Sequence, residues 1–393
     1  MQSPPLEDAP RPSETLRAFN RRRLLTALRQ GGAASRAQLA QLTGLSAVTV
    51  SALTTELMRE GLLAATPGTT RRGAGRPPAL LSLAAPAGVT VGVAFGHNQV
   101  QVAIGDLSGR VLAHQRVLLD VASSATRALD TAAGLVGTAL TEAGTPRSAV
   151  VGVGMGVPAP LDRQVGTIGS NNILPGWVAL RPAVELGSRI GLPVALDNDA
   201  NLGALAERAH QTDRRVDDLI YLKISTGIGS GLILGGQLHR GSTGSSGEIG
   251  HIQIRSDGVV CRCGSRGCLE TLVSTTSIVA LLQPAHEQGL TIGDVVTLVA
   301  ADDPGATRVV AEAGRMIGRV VADLCNHLNP AAVVVGGELS EAGTPLIAGI
   351  RGAIDQFAQP VVARAVTVRA AALGDRAEVL GALLLAADSA RPL

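Results

Sequence analysis

The chain has 393 residues and is 46% hydrophobic, enough for two or three domains with a sizeable core. Only five residues are aromatic (Phe19, Phe95, Trp177, Tyr221 and Phe357), so that core must be built from Leu, Val, Ile and Ala. The net charge of +2 is uneven: residues 1–80 hold eleven arginines against five acids, +6, which leaves −4 for the rest. A basic head on a mildly acidic body points to a polyanionic partner for the head.

Residues 1–13 are Pro-rich and acidic, lack the charged-then-apolar pattern of a signal peptide, and read as disordered. Residues 14–30 carry Leu16, Phe19, Leu24, Leu25 and Leu28 at near-helical spacing, and Gly31-Gly32 ends that helix. Ser35 can cap a helix over 36–43 with Leu39 and Leu42 inward. Gly44 makes a turn, and Ser46 can cap a helix over 47–60 with Val50, Leu53 and Leu57 on one face. This is the helix-turn-helix pattern. Arg71-Arg72-Gly73-Ala74-Gly75-Arg76 and the strand expected over 79–83 add a basic, Gly-rich wing. Residues 14–84 are therefore expected to form a small α+β winged helix-turn-helix domain that binds double-stranded operator DNA. Ala47, Val48, Thr49 and Ser51 would face base edges, where their small side chains allow close approach. Arg36, Arg71, Arg72 and Arg76 would supply the basic contacts. A three-helix protein-interaction module with a solvated Arg loop is the plainer alternative.

Residues 77–96 carry no charge and could pass for a membrane span. Pro77, Pro78, Pro86, Gly88 and Gly92 break the run into two strands and a turn, so a soluble, cytoplasmic protein without membrane contact is expected. Strands are expected over 89–104 and 111–119, a helix over 124–143, and strands over 150–155 and 192–196. A helix over 202–210 follows. The order then restarts with strands at 218–225 and 231–234, a helix at 306–328, a strand at 332–335, a helix at 344–357, a strand at 361–368 and a helix at 376–388. Two successive hairpin-plus-α/β halves imply an internally duplicated α/β fold with a cleft between lobes.

Within the second half, Gly247-Glu248-Ile249-Gly250-His251 precedes Cys261-Arg262-Cys263-Gly264-Ser265-Arg266-Gly267-Cys268-Leu269-Glu270. Three thiolates and an imidazole complete a tetrahedral set for structural Zn²⁺, with no position left for water. A Cys-x-Cys pair is poor disulfide geometry, so His251, Cys261, Cys263 and Cys268 are expected to be zinc ligands. Cys325, on an apolar helix, reads as core. Lys223 is the single lysine, which reads as composition bias.

These motifs, with Asp197-Asn198-Asp199-Ala200-Asn201, Ser225-Thr226-Gly227-Ile228-Gly229-Ser230-Gly231 and Val335-Gly336-Gly337, resemble the ROK family of repressors and sugar kinases. The helix-turn-helix head makes the chain similar to the family's repressor branch, which includes the xylose repressors. The resemblance implies a two-lobed, actin-like and ribonuclease H-like sugar-kinase fold over 85–393. The small lobe would cover about 85–202 plus 375–393, and the large lobe about 203–374. It also implies a homo-oligomer, dimer or tetramer, and a monosaccharide or sugar-derivative effector. Asn198, Asp199, Glu248, His251 and Glu270 are implied sugar contacts, with Asn172 (or Asn171) as a further one or a turn residue. Asp199 matches the kinases' catalytic base. The kinases' first phosphate loop, Asp-x-Gly-Gly-Thr, is replaced by Ala94-Phe95-Gly96-His97-Asn98-Gln99. Ala94 cannot support Mg²⁺, His97 stands where backbone must approach phosphate, and Asn98 replaces the threonine. ATP and Mg²⁺ are therefore not expected. Were nucleotide binding retained, Thr226, Gly227, Gly229, Gly336 and Gly337 would carry it. A sugar-responsive repressor is the reading. An ATP-dependent sugar kinase with a DNA-binding head is the alternative, and a regulator controlled by a partner protein is a third.

Overall fold

A computed structural model describes residues 17–389, apart from 18–19, 22, 26, 29–31, 67–78, 85–87, 108, 170–171 and 212–215. The head is built on helices Arg36–Thr43 and Ala47–Arg59, preceded by helical residues that include Leu24 and Leu28. Ser35 and Gln38 form a reciprocal capping box, Gly44 turns the chain at φ 62°, and Ser46 caps the next helix by accepting from the Thr49 N–H. Strands β1 (Leu63–Thr66) and β2 (Leu80–Leu83) pair antiparallel, and Ala34 bridges to Leu81. Leu24, Leu28, Leu39, Val50, Leu53, Leu57 and Leu81 fill the head's core, and Leu107 from the body joins it. Leu42, expected inward, is 60% exposed. Its helix has eight residues, and the Leu39 face alone meets the core.

The body carries two sheets of the same topology. The first runs β5-β4-β3-β6-β9, from β3 (Val89–Phe95), β4 (Gln99–Asp106), β5 (Val111–Leu118), β6 (Val150–Val157) and β9 (Val194–Asn198). A small hairpin of β7 (Leu161–Asp162) and β8 (Thr167–Ile168) follows β6. The second sheet runs β12-β11-β10-β13-β14, from β10 (Leu219–Ile224), β11 (Ile228–Leu234), β12 (Gln237–His239), β13 (Ala332–Gly336) and β14 (Thr367–Ala370). In each, the first three strands are antiparallel and the last two are parallel. Helices occupy matching positions: Ala125–Glu142 and Pro304–Leu328 after the hairpins, Pro182–Ile190 and Thr344–Phe357 between the parallel strands, and Asp199–His210 and Ala377–Ser389 after them. That correspondence is the duplication expected from the element order.

The last two helices cross between the sheets at backbone contact. A Cβ on Gly381 would stand 2.0 Å from the Leu202 carbonyl oxygen, so only glycine allows the approach. Each sheet has its own apolar core.

Two expected strands are corrected. Residues 89–104 form two strands, not one, because the Gly96 N–H bonds back to the Gln99 carbonyl and turns the chain at His97-Asn98. Residues 361–368 begin as the helix Pro360–Ala365, with Pro360 in its first turn and Gln359 capping it. Only Thr367–Ala370 is strand. Among the described residues, no helix is long and apolar enough to cross a membrane.

Candidate functional site

A cleft opens between the two sheets, beyond the carboxyl ends of β3, β6, β9, β10 and β13, where open α/β sheets bind ligands. Asn198, Asp199, Glu248, His251 and Glu270 all line it. Their convergence follows from local structure. Asn198 ends β9 and caps the helix Asp199–His210, accepting from the Ala200 and Asn201 N–H groups. Glu248 precedes the turn Ile249–His251 and His251 ends it, and Glu270 opens the short helix Glu270–Val273.

A His/Cys group adjoins the cleft, and of that group His251 alone lines it. Cys261 Sγ lies 3.6 Å from His251 Nδ1, and Cys263 Sγ lies 3.7 Å from Cys268 Sγ. All four ligand atoms lie within 4.8 Å of one another, and no disulfide is formed. Burial, then the neighbouring thiols, push the Cys268 thiol up to about 12, and burial also raises Cys261. Three sulfurs so placed cannot ionise together without a cation among them, so the group could hold a metal ion. His251 links this group to the cleft: its Nδ1 faces Cys261, and its Nε2 lies 3.8 Å from Glu248 Oε2.

The acids differ in state. Burial, then the nearby Asp199 and Glu270, push Glu248 up to about 7. Glu270 accepts from the Ile228 N–H at 3.1 Å and pairs with Arg262 at 3.3 Å. Asp199 accepts from the Ala200 N–H at 2.8 Å and from Lys223 Nζ at 2.7 Å. Lys223 also pairs with Glu378 at 3.2 Å. Burial alone would lower the Lys223 ammonium, but Asp199 and Glu378 more than reverse that and raise it. Burial raises Glu378 in spite of Lys223.

The β3–β4 turn brings His97 into the same cleft. Burial, then the Arg262 charge, lower its imidazole to about 4, so it is neutral at pH 7. Ala94 is buried within β3 and Asn98 is exposed. Thr226, Gly227, Gly229 and Gly337 line the cleft, but Gly336 does not: a Cβ there would stand 2.3 Å from the Tyr221 hydroxyl, which gives it a packing role. Asn172 is exposed and lies outside the cleft lining, which its neighbour Ile173 reaches instead.

On the head, Ala47, Val48 and Ser51 are exposed, Val48 at 80%, and Thr49 is half-buried with its hydroxyl 2.8 Å from Ser46 Oγ. Arg36 is half-buried and donates from Nε to Thr54 Oγ1 at 3.0 Å, which holds it against the following helix. Arg71, Arg72, Arg76 and Asn171 lie outside the described residues.

Sequence reasoning missed Lys223, Arg262 and Glu378. Lys223 had a signal, a lone charge inside the apolar strand Leu219–Ile224, and Arg262 had its place between two cysteines. Glu378 had none.

The family model described as "ROK family" matches residues 90–389. The xylose repressor of Bacillus subtilis (strain 168) is 28% identical over 366 residues, covering 93% of this chain and 94% of that protein. A glucokinase of Streptomyces coelicolor is 31% identical over 320 residues but covers only 77% of this chain. Among solved structures, a ROK family transcriptional regulator described as a homolog of the E. coli MLC protein matches with TM-score 0.77 and 26% identity. The match covers 94% of this chain and 96% of that one. A ROK family glucokinase from Streptomyces griseus, in complex with glucose and AMPPNP, matches with TM-score 0.65 and 29% identity over 76% of this chain.

Proposed function

The chain belongs to the ROK family, and we propose that it is a sugar-responsive transcriptional repressor of carbohydrate-utilisation genes. One observation carries the reading: repressor relatives cover head and body alike, whereas the glucokinases leave about a quarter of this chain unmatched. In this reading residues 14–84 bind operator DNA as a symmetric homo-oligomer, with Ala47, Val48, Thr49 and Ser51 towards the bases. Residues 85–393 bind a monosaccharide between a small lobe (85–202 with 375–393) and a large lobe (203–374).

Asn198, Asp199, Glu248, His251 and Glu270 supply the sugar contacts. Asp199, paired with Lys223, is an acceptor for a hydroxyl. Glu248, whose proton burial holds more tightly than in a free carboxyl, can also donate. Zinc is the metal that suits the four-ligand cluster. Tetrahedral Zn–S bonds of about 2.3 Å place two sulfurs about 3.8 Å apart, and Zn–N of about 2.0–2.1 Å places nitrogen and sulfur about 3.5–3.6 Å apart. The separations of 3.7 and 3.6 Å agree. Closed to water, such an ion would fix His251 and, through residues 261–270, Glu270.

Asp199 in the cleft beside the Gly-rich loop favours a second reading, a sugar kinase. It predicts sugar-dependent ADP formation. Against it stand the neutral His97 imidazole in the first phosphate loop and Glu338, Glu341 and Asp375 along the cleft, which disfavour a polyphosphate. The test is operator binding by the full chain against a panel of monosaccharides. Wild type should release DNA with one sugar, and Asp199→Ala should bind DNA normally yet ignore that sugar. Release by Asp199→Ala at wild-type sugar concentration would refute the pocket assignment.

A further inference from the structure

Lys223 is the only lysine in the chain, and its side chain, 14% exposed, lies where three elements meet. It stands on β10 of the second sheet. Its ammonium bonds Asp199 Oδ2 at 2.7 Å, at the start of the helix Asp199–His210, and Glu378 Oε1 at 3.2 Å, in the first turn of the helix Ala377–Ser389. All three side chains are at most 14% exposed. One cation therefore spans both body helices and the sheet behind them. Asp199 has its other oxygen on the Ala200 N–H, so Lys223 decides which way its second oxygen points.

The helix Ala377–Ser389 has 13 residues and is about 20 Å long. Its first turn carries Glu378 in the cleft. At its other end, Leu385, Asp388 and Ser389 border a cavity shared with Arg23, Ala27, Leu42 and Thr43 of the head. The helix thus runs from the ligand cleft to the helix-turn-helix domain.

We propose that Lys223 is a positioning residue of the effector site. It holds Asp199 as a charged, oriented acceptor and ties it to Glu378, so that cleft occupancy reaches the head along the C-terminal helix. The inference rests on the sugar reading of the cleft. A hydroxyl donating to the Asp199 carboxylate shares its charge with Lys223, so the ammonium shifts towards Glu378. Attraction between buried charges is strong enough to carry that shift into the helix. A coupling of this kind requires the liganded and free cleft to favour different helix positions.

The test uses the full-length, metal-loaded chain with D-xylose and D-glucose as probes. Sugar affinity and amide hydrogen exchange over residues 377–389 are measured together. Lys223→Met should bind sugar about ten- to hundredfold more weakly, the loss expected for a hydrogen bond to a charged group. At saturating sugar its helix should no longer change exchange, whereas wild type does. Lys223→Arg should restore most of both, which separates positioning from mere filling of space. Leu385→Ala, at the far end of the helix, should leave sugar affinity unchanged and weaken the sugar response of DNA binding. A cooperatively folded Lys223→Met with wild-type sugar affinity and exchange response would overturn the proposal, and an unaltered DNA response in Leu385→Ala would overturn the route along the helix. Wild type that binds sugar without any change in DNA affinity would refute the repressor reading and the route to the head together. Affinity and exchange of the Lys223 variants would still decide the role of Lys223.

Discussion

Removing the metal should disable the cleft from one side, and its pH dependence follows from the ligand set. A metal on three sulfurs takes them as thiolates, so each thiol gives up its proton on binding. Cys261 and Cys268 hold their protons more tightly than a free thiol, Cys268 up to about 12. Between two and three protons therefore leave near neutral pH. Each proton changes the apparent affinity about tenfold per pH unit, or about 1.4 kcal/mol. Zinc affinity should thus fall about a hundred- to thousandfold from pH 7.5 to pH 6.5. The assay is competition with a chromophoric chelator at several pH values, followed by sugar titration of the metal-free protein at constant pH. Residues 252–269 have no regular strand or helix and only the isolated bridges Gln253↔Cys268 and Val260↔Arg266, so loss of the ion should release His251 and Glu270 together. Losing either contact costs about tenfold or more in sugar affinity. A pH-independent metal affinity would refute the thiolate set, and unchanged sugar affinity after complete metal removal would refute the link between cluster and cleft.

Three other outcomes are expected. Gly381→Ala forces a methyl group to within 2.0 Å of the Leu202 carbonyl oxygen and should lower stability by about 1–3 kcal/mol or more, read as a fall of several degrees in Tm; an unchanged Tm would show that the helix crossing is not rigid. Val48→Glu, on a side chain 80% exposed, should leave Tm unchanged while weakening operator binding at least about tenfold, and full DNA binding by this variant would move the recognition surface elsewhere. His97, at about 4 in the folded chain against about 6.5 unfolded, takes up its proton more readily when unfolded, so its contribution is complete above pH 6.5 and lost as pH falls towards 4. The loss is at most about 3–4 kcal/mol and less for a half-buried ring; His97→Gln should melt less steeply with acid, and identical profiles would show that the His97 imidazole is not desolvated in the folded chain.

Much of the body was legible because its signals are local. Hydrophobic runs and glycine turns located the strands and long helices, and their repeated order disclosed the duplication before any contact was known. Residues 89–104 misled because two apolar strands meet at a turn of only three residues, Gly96 to Asn98, whose hydrogen bond carries no mark in the periodicity. Residues 361–368 misled because Val-Val favours strand on propensity, whereas Pro360 and the Gln359 cap start a helix. Leu42 was placed inward by spacing, but an eight-residue helix touches its core along one line only.

The spacing of His251, Cys261, Cys263 and Cys268 by itself determined a four-ligand cluster, since ligands within eighteen residues need only a short loop to converge. Likewise Ser35, Gly44 and Ser46 marked the two helices of the head through hydrogen bonds made within a few residues. Only the tertiary structure decided that Lys223, Asp199 and Glu378 share one buried point. They stand on different elements, up to 179 positions apart in the numbering, and what joins them is the crossing of two helices over a strand. Charge attraction between such distant residues acts only after packing has excluded water around them, and no local pattern in the chain records that event.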